Sequence, residues 1–391
     1  MNKLDMKEVR YIFDEGMFMF ASFWKIMPVL TLSLGAGLDA KNEMQKKNKE
    51  PVHQPACGLH EGECCYARSC KCAMGGALEF DFLYWYAENP GFSAYAYEQK
   101  NPYMILATIP QADIGCIVRL DAKWDPGFRI GAGWNTDFDR WDVFVNWTWY
   151  KNHSTESKSL NSLVAPSVVG FYPITFFDNE INPFQNTSSS WQMLHNAIDL
   201  ELGRAYYITK TLSLRPHLGL RCGLINQKSR TQFYNPLTSE EVIIENYVNH
   251  AKNNYWGIGP RFGIHSQWHI ASSSWSILAK ASTSILLGET KAHFRDGYID
   301  NAGNDLTHRD FKDHVTQYVP NLQIFLGVDW GSCLDCDNYY LGVNAGWETN
   351  IYWNQYNVPM ANQYVEVAGL PSHSSEAVTM GGLTINFHFD Y

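Results

Sequence analysis

The sequence of 391 residues lacks, beyond its N-terminal part, any run of about 20 apolar residues, the length that a membrane-spanning helix needs. Charged residues are scarce at 18%, against roughly 25% in an ordinary soluble domain. Basic residues are also in the minority, since 30 Lys and Arg stand against 40 Asp and Glu. The missing apolar run excludes a helical membrane protein. The minority of basic residues argues against a nucleic-acid-binding protein, because such proteins need a basic surface to contact phosphates.

Aromatic residues, by contrast, are abundant at 15% of the chain, with 14 Trp, 22 Tyr and 21 Phe. This content excludes a disordered chain, because it supplies far more buriable surface than disordered sequences carry. The mean hydropathy is nevertheless negative, at −0.29. Strands with one apolar face and one polar face would reconcile the two values.

From residue 77 onward the apolar residues recur with a period of two, which places them on one face of a strand. One segment sets Trp141, Val143 and Val145 against polar neighbours, and another sets Trp256, Ile258 and Phe262 against Gly and Arg. The second face is rich in Gly and charged residues, which suits the lumen of a membrane barrel better than a surface in bulk water. A soluble β-protein with an aromatic core is the alternative interpretation.

Short and long connections alternate along these strands. Short turns are predicted at 136–140, 209–211, 272–274 and 331–338, and long connections at 151–190, 226–253, 290–313 and 350–376. An outer-membrane barrel has tight periplasmic turns and long external loops in this order. The sequence therefore predicts an all-β fold, a transmembrane antiparallel barrel of about 10–12 strands. Residues 92–122 would supply the additional hairpin or fold as an external or inward loop.

The last strand ends in alternating apolar residues that finish on an aromatic side chain. Phe387, Phe389 and Tyr391 form the predicted recognition signal for the barrel-assembly machinery. Pairing of this strand with the first one would remove both open edges of the sheet.

The N-terminal part predicts export. Lys25 precedes an apolar stretch at 26–38 and small residues near Ala40, which is typical of a cleaved signal peptide. The segment before Lys25 is unusually long for a signal peptide and contains acidic residues, so the true start is expected later, near Met17. The alternative to a signal peptide is a plain amphipathic helix. The predicted organisation is a signal peptide and leader at 1–40, a Cys-rich periplasmic segment at 41–75 and the barrel at 76–391.

Nine cysteines are present, an odd number that leaves one thiol free or paired with another chain. Their clustering in an exported protein predicts disulfides, and adjacent and one-apart spacings do not match a zinc site. The disulfide candidates are Cys57, Cys64, Cys65, Cys70, Cys72, Cys333 and Cys336.

Six strand segments are familiar from a known family. They are Phe80 to Tyr86 (FDFLYWY), Gly127 to Trp134 (GFRIGAGW), Asp199 to Tyr206 (DLELGRAY), Leu214 to Arg221 (LRPHLGLR), Trp256 to Gly263 (WGIGPRFG) and Gly346 to Asn354 (GWETNIYWN). Over about residues 76–391 the chain resembles the major-outer-membrane-protein-like, pore-forming family of Legionella and Chlamydia-related bacteria. The resemblance implies an outer-membrane porin that is also an abundant surface protein.

The polar strand faces define the candidate site, a set of charged side chains directed into the lumen. Basic residues from the middle of the chain would face acids from its ends and bias ion passage through a transverse field. The alternative is that the same residues pair and fill the interior. The predicted lumen residues are Arg129, Arg215, His217, Arg221, Arg261, His265, Lys280, Asp142, Asp199, Glu201, Asp329 and Glu348.

The function predicted from the sequence is passive diffusion of small hydrophilic solutes or ions through an outer-membrane porin. The rival interpretation is a structural barrel or adhesin with long external loops and a plugged lumen. An enzyme is disfavoured, because no Ser or Asp spacing singles out any of the available histidines His195, His217, His265 and His388. No cofactor, metal or nucleic acid is expected. The expected partners are outer-membrane lipid, the barrel-assembly machinery and disulfide-linked envelope proteins or another copy of the chain.

Overall fold

The structure, a computed structural model, describes residues 75–99, 115–136, 139, 141–159, 167–170, 184–209, 211–236, 244–270, 273–300, 305–334, 339–355, 358–360, 372–374 and 376–391. Within these residues, ten antiparallel strands form a closed barrel, named β1 to β10 in chain order. They are β1 (Gly76–Glu88), β2 (Trp124–Asn135), β3 (Trp141–Ser159), β4 (Phe184–Arg204), β5 (Leu212–Pro236), β6 (Ile244–His269), β7 (Trp275–Asp300), β8 (Asp305–Leu334), β9 (Tyr339–Tyr352) and β10 (Val378–Asp390). The predicted fold class is confirmed, with the strand number at the lower end of the expected range.

The barrel closes through the pairing of its first and last strands. β1 pairs with β10 over a register that runs from Ala77 opposite Asp390 to Glu88 opposite Thr379. β1 pairs on its other side with β2, and β10 pairs on its other side with β9. Every barrel strand therefore has two hydrogen-bonded neighbours, and the ring has no open edge.

The period-two pattern of the sequence places an apolar band on the outside of the barrel. On β6 the exposed large apolar residues extend from Trp256 to Trp268, and on β7 from Trp275 to Leu287. Each span covers about 40 Å along the strand, or about 30 Å at the usual strand tilt, which suffices for an apolar band of about 25 Å. Aromatic residues lie at both limits of the band, as in the interfacial belts of membrane barrels. The aromatic residues predicted to signal assembly are 36 to 51% exposed on the same outer surface.

The short connections lie together at one end of the barrel, here named the turn side. The first and last residues of the barrel lie at the same end. Thr136 closes the β2–β3 turn by donating its N–H to the carbonyl oxygen of Trp141 at 2.8 Å. Ile208 and Leu212 close the β4–β5 turn in the same way at 3.0 Å. In outer-membrane barrels the turn side faces the periplasm, so the opposite loop side faces the exterior.

On the loop side the strands continue much further than predicted. β5 and β6 extend through most of 226–253, and β7 and β8 extend through most of 290–313, regions expected to be loops. Above the apolar band the outer residues of these strands are polar, for example Lys252 and Lys291, so apolar alternation stops although the hydrogen-bond ladder continues. The strand ends predicted from the hydropathy pattern alone were therefore wrong, because they lay too close to the apolar band.

Residues 92–122 supply a hairpin that does not enter the closed ring. A single helical turn, α1 (Pro90–Ser93), leads into a short strand at Ala94–Gln99 that pairs with Gly115–Arg119 and with Ser167–Gly170. Phe92 and Leu120, at the base of this hairpin, are buried inside the barrel. The region thus turns inward at its base, and it does not raise the number of barrel strands to twelve. A separate pair of short strands, Val358–Met360 and Ser372–Ser374, follows β9.

Large apolar side chains fill the loop-side half of the interior. Trp85, Tyr150 and Tyr352 are fully buried there, and Phe92 packs against Trp191 with ring centroids 6.4 Å apart. We name this group the apolar cluster. Its buried members are Leu83, Trp85, Ala87, Phe92, Leu120, Tyr150, Trp191, Met193, Ile225, Phe233, Tyr247, Tyr255, Leu286, Phe294, Val319, Tyr352, Val378 and Met380.

The cysteines are distributed between the barrel and the undescribed N-terminal part. Cys116 and Cys222, which lie in described segments, are free thiols, and Cys333 at the end of β8 is not among them. The disulfide candidates Cys57, Cys64, Cys65, Cys70, Cys72 and Cys336 lie outside the described residues. The disulfide predictions therefore stay predictions.

Candidate functional site

All twelve predicted lumen residues lie on inward faces of the barrel strands, mostly in the turn-side half. Alternation along each strand brings them inward, since their immediate neighbours face the membrane. Four are partly buried, namely Arg129, Arg215, His265 and Lys280. The other eight are buried, namely Asp142, Asp199, Glu201, His217, Arg221, Arg261, Asp329 and Glu348.

Arg129 on β2 joins carboxylates from two other strands. It donates to Oδ2 of Asp81 on β1 at 2.7 Å and to Oε1 of Glu348 on β9 at 2.6 Å. Its Nε donates to the hydroxyl of Thr148 at 3.0 Å, and Asn386 donates to Asp81 from β10. Since β9 lies three strands from β2 in the ring, this cluster spans part of the lumen.

Arg221 on β5 forms a two-pronged ion pair with Asp199 on β4. The Nε–Oδ1 and Nη2–Oδ2 distances are 2.6 and 2.7 Å, a geometry in which both carboxylate oxygens accept charge-assisted hydrogen bonds. Arg221 Nη2 also donates at 2.6 Å to Oε1 of Gln323 on β8, three strands further round the ring. The guanidinium therefore reaches across the interior as well as along the wall.

A third cluster surrounds Glu201 on β4. Arg215 Nη1 lies 3.2 Å from Oε2 of this carboxylate, and Arg261 Nε lies 3.3 Å from Oε1. Arg215 also donates from Nε to Asp142 Oδ2 at 2.9 Å. Arg261 donates to Gln323 Oε1 at 3.0 Å, which connects this cluster to the preceding one.

Gln323 completes a continuous network, because its Nε2 donates to Glu348 Oε1 at 2.6 Å. The three clusters thereby join across the barrel at mid-height, beneath the apolar cluster. We name this network the ion-pair layer. It consists of Asp81, Arg129, Asp142, Asp199, Glu201, Arg215, Arg221, Arg261, Gln323 and Glu348.

The layer corrects the expected charge distribution. A basic wall opposite an acidic wall was predicted from the order of the charges in the sequence. The arginines instead interleave with carboxylates, so Asp199 lies between Arg221 and Arg261, with the Arg261 Nη1–Oδ2 distance 3.6 Å. Strand neighbours in the ring place acids and bases side by side, which the order along the chain does not reveal.

A polar cavity of about 600 Å³ lies on the turn side of the ion-pair layer. Its lining includes members of the layer and reaches residues of the β2–β3 turn, Thr136 and Asp139. Lys280 and Asp329 also line it, and Asp329 accepts a hydrogen bond from Gln267 at 2.8 Å. The cavity therefore faces the periplasmic rim, and the layer and the apolar cluster lie between it and the exterior.

One group at the edge of the cavity offers the residue types that bind transition metals. Glu201, His217 and His265 present ligand atoms within 4.8 Å of one another. His217 Nε2 lies 3.6 Å from Glu201 Oε1, and the two imidazole rings are 4.7 Å apart. The same carboxylate is paired with two arginines, however, so its charge is already compensated.

Two of the histidines considered for catalysis, His195 and His388, contact aromatic side chains of the interior. His195 Nε2 lies 3.0 Å from the Tyr352 hydroxyl, and His388 packs on Tyr340 with ring centroids 5.1 Å apart. Both contacts suit lumen-filling side chains.

Sequence reasoning missed the inward aromatic residues that form the apolar cluster. Trp85 faces inward while Tyr84 and Tyr86 lie near Trp124 at the membrane side, with ring centroids 5.4 and 5.1 Å away. The signal was present, because the unbroken apolar run Leu83–Ala87 indicates a strand that is covered on both faces.

A family model described as the Legionella pneumophila major outer membrane protein precursor matches residues 75–391. The chain belongs to this family. This major outer membrane protein family and the barrel fold together place the chain in the outer membrane. No curated protein matches the sequence.

Several solved structures are similar to this family member at low identity and low TM-score. The outer membrane protease OmpT from Escherichia coli is 11% identical with a TM-score of 0.36, over 81% of this chain and 96% of OmpT. A deletion mutant of TodX, a monoaromatic hydrocarbon channel, is 8% identical with a TM-score of 0.26, over 84% and 94% of the two chains. A Pseudomonas aeruginosa FadL homologue is 6% identical with a TM-score of 0.23, over 84% and 93%. In the described residues of the family member, no helix is long and apolar enough to cross a membrane.

Proposed function

We propose that this protein is a surface barrel of the outer membrane whose lumen is closed, with a structural or adhesive role. The observation that carries the proposal is the ion-pair layer, which crosses the lumen at mid-height. In a column of water its charges would be hydrated, yet Asp199 is 3% and Arg221 is 2% exposed. The apolar cluster covers the layer on the loop side.

The barrel size supports the same interpretation. Eight strands enclose little more than packed side chains, and about 16 strands enclose an aqueous channel. With ten strands, the interior is narrow enough for Arg221 and Arg129 to contact side chains three strands away. Side chains of this reach obstruct the passage without a separate plug domain.

The experiment is reconstitution of the folded protein in planar bilayers, with insertion verified by heat-modifiable migration on gels. We expect no stepwise conductance from the wild-type barrel. Swelling of vesicles that hold an impermeant polymer and are diluted into a solution of small sugars provides an independent measurement, and we expect no sugar entry. Stepwise conductance together with sugar entry would overturn the proposal of a closed lumen.

A second candidate function is passive diffusion of small hydrophilic solutes, as in a porin. The cavity of about 600 Å³ favours it, because a polar chamber already reaches the periplasmic rim. Solute passage would require the side chains of the layer and the cluster to rearrange. If the barrel conducts, replacing Arg215, Arg221 and Arg261 by neutral residues should shift ion preference toward cations.

Export belongs to the same proposal. We expect a signal peptide within residues 1–40 to be removed and residues 41–75 to form a Cys-rich periplasmic segment. Apart from residue 75, both lie outside the described residues. Sequencing the N-terminus of protein recovered from the outer membrane checks this. Recovery of the intact first 40 residues in the membrane-inserted form would contradict it.

A further inference from the structure

Asp329 on β8 is a buried carboxylate in the wall of the turn-side cavity, and it is only 2% exposed. Its hydrogen bonds fall on one oxygen, because Oδ2 accepts from Gln267 Nε2 at 2.8 Å and from Ser276 Oγ at 3.1 Å. Among the described residues, no Lys, Arg or His forms an ion pair with this carboxylate, and its Oδ1 accepts no hydrogen bond. A buried charge without a counter-ion is costly, so the site calls for a cation.

The lysine of the same cavity does not supply this charge. Lys280 on β7 places its Nζ over the Phe325 ring, 5.7 Å from the ring centroid. Phe325 is the register partner of Lys280 and lies four residues before Asp329 on β8, which is about 13 Å along the strand. The ammonium group is therefore directed to a level of the lumen nearer the ion-pair layer.

A buried amide oxygen next to Asp329 also lacks a partner. Asn344 on β9 is the register partner of Asp329, lines the same cavity and is 3% exposed. Its Nδ2 donates to Asn386 Oδ1 at 2.8 Å, whereas its own Oδ1 accepts no hydrogen bond.

A chain of hydrogen bonds fixes the orientation of this amide. The carboxylate of Asp81, which is paired with Arg129, can only accept, so Asn386 presents its Nδ2 to it. Asn386 Oδ1 then faces Asn344 and requires a donor, which leaves Asn344 Oδ1 on the side away from Asn386. On that side β9 borders β8, and directly opposed side chains have Cβ atoms about 4.5–5.5 Å apart. Asp329 and Asn344 therefore present acceptor oxygens to the same space, with no donor from the described residues between them.

The donor set identifies the class of cation. Carboxylate and amide oxygens are ligands for Ca²⁺ and Mg²⁺, whereas transition metals prefer nitrogen or sulfur, which this pair does not offer. Two ligands held on neighbouring strands cannot rearrange freely. Ca²⁺ accepts irregular coordination, while Mg²⁺ demands a nearly ideal octahedron. The cavity gives water access to the remaining coordination positions.

We propose that Asp329 and Asn344 bind a calcium ion that enters from the periplasm through the turn-side cavity. Ser276, which donates to Asp329, follows Trp275 at the turn-side limit of the apolar band, so the site lies near the periplasmic rim. Gln267 and Ser276 hold the carboxylate from β6 and β7, so the bound ion would connect four strands at that end. The ligands lie on different strands and form no metal-binding motif, which is why no metal was expected from the sequence. The site goes beyond the proposed function, because calcium binding does not depend on whether the lumen conducts.

The test is isothermal titration of the full-length protein with calcium chloride. The protein is refolded from inclusion bodies in zwitterionic detergent, which avoids the calcium-binding phosphates of lipopolysaccharide, and is treated with a chelator before titration. The variants are Asp329→Asn and Asn344→Ala. The matched control is Asp139→Asn, because Asp139 lines the same cavity but already has Arg204 as its partner. Heat-modifiable migration verifies folding of all proteins.

We expect one calcium site with a Kd of about 0.1–1 mM, the range of extracellular calcium modules. Residues that merely support a metal ligand change affinity by about 10–100-fold. On that scale Asp329→Asn should weaken binding by at least about 100-fold and Asn344→Ala by at least about tenfold, with the control within about twofold of wild type. Magnesium should bind more weakly than calcium. Equal calcium affinity of wild type and Asp329→Asn, equal losses for Asp329→Asn and the control, or equal affinity for magnesium would overturn the proposal.

Thermal stability gives a second readout with a change of sign. In Asp329→Asn the new amide keeps an oxygen for Gln267 and Ser276, and its Nδ2 can donate to Asn344 Oδ1. Without calcium, the melting temperature of this variant should therefore equal or exceed that of wild type. In about 10 mM calcium, wild type should gain at least about 2 °C and the variant should gain nothing, because a ligand stabilises only the folded state that binds it. The same response to calcium in both proteins would contradict the site.

Discussion

Replacing Arg129 by Met tests whether the ion-pair layer is dry. The substitution keeps much of the apolar stem but removes the cation that contacts Asp81 at 2.7 Å and Glu348 at 2.6 Å. The two carboxylate side chains are only 5% and 2% exposed, so both would be left buried without their counter-ion. Removing one partner of a buried ion pair costs about 3–5 kcal/mol.

The matched control is Arg204→Met. Arg204 contacts Asp139 at the same distance, 2.7 Å, but the two side chains are 30% and 54% exposed. An exposed pair contributes about 0–1 kcal/mol, and the stacking of Arg204 on Tyr206 adds about 0.5–1 kcal/mol. We therefore expect Arg129→Met to lower the free energy of unfolding by at least about 1–2 kcal/mol more than Arg204→Met does.

The assay is reversible urea unfolding of the barrel in lipid vesicles, followed by tryptophan fluorescence and by heat-modifiable migration. The midpoint should fall with an unchanged dependence on denaturant, since a changed slope would indicate a changed folded or unfolded state. Adding Glu348→Gln to Arg129→Met should recover part of the loss. Equal losses for the two arginine variants would refute the reasoning, because they would mean that water already hydrates the lumen at the level of Arg129.

Three further predictions concern packing, assembly and cross-linking. Gly263→Ala should destabilise the barrel by about 1–3 kcal/mol in the same urea assay, because the added Cβ would lie 2.5 Å from the His217 ring. The control Gly223→Ala should cost less, because its Cβ would lie 3.2 Å from Leu286. Phe389→Ser together with deletion of Tyr391 should reduce the amount of heat-modifiable protein in cell membranes more than it reduces refolding in detergent, and an equal reduction in both would indicate a purely structural role. Omitting reductant should slow the migration of full-length protein extracted from cells if the N-terminal cysteines cross-link chains, and replacement of Cys57, Cys64, Cys65, Cys70 and Cys72 by Ser should abolish that difference.

The outer face of the barrel was predictable from the sequence because it obeys a simple alternation. Apolar residues of the outer face lie at alternate positions along their strands. Leu218 and Phe262 are examples, and both are more than half exposed on the membrane side. The short turns were predictable for the same reason, since strand patterns resume a few residues after each one ends.

The interior was less predictable, because its contacts join residues distant in sequence. Arg129 and Glu348 are separated by more than 200 residues, and their pairing depends on closure of the ring. The inward direction of Arg221 follows from alternation, but its contact with Gln323 follows from the ring diameter. The strand extensions were missed because Lys252 and Lys291 replace the apolar outer residues above the membrane.

The closing pair of strands has a consequence for how the barrel folds. Most neighbouring strands are consecutive in sequence, so each can pair with its predecessor locally. The pairing of β1 with β10, by contrast, joins Ala77 to Asp390 at opposite ends of the barrel sequence. The entropy of closing so long a loop makes this pairing intrinsically late. Until then β1 and β10 are unpaired edges, which are sites of aggregation. Since Tyr391 donates its N–H to the Gly76 carbonyl at 2.9 Å, both ends of the barrel chain meet at one rim. A circularly permuted chain, in which a short turn joins these two ends and new ends are opened in a loop-side connection, would make the pairing of β1 with β10 a local hairpin.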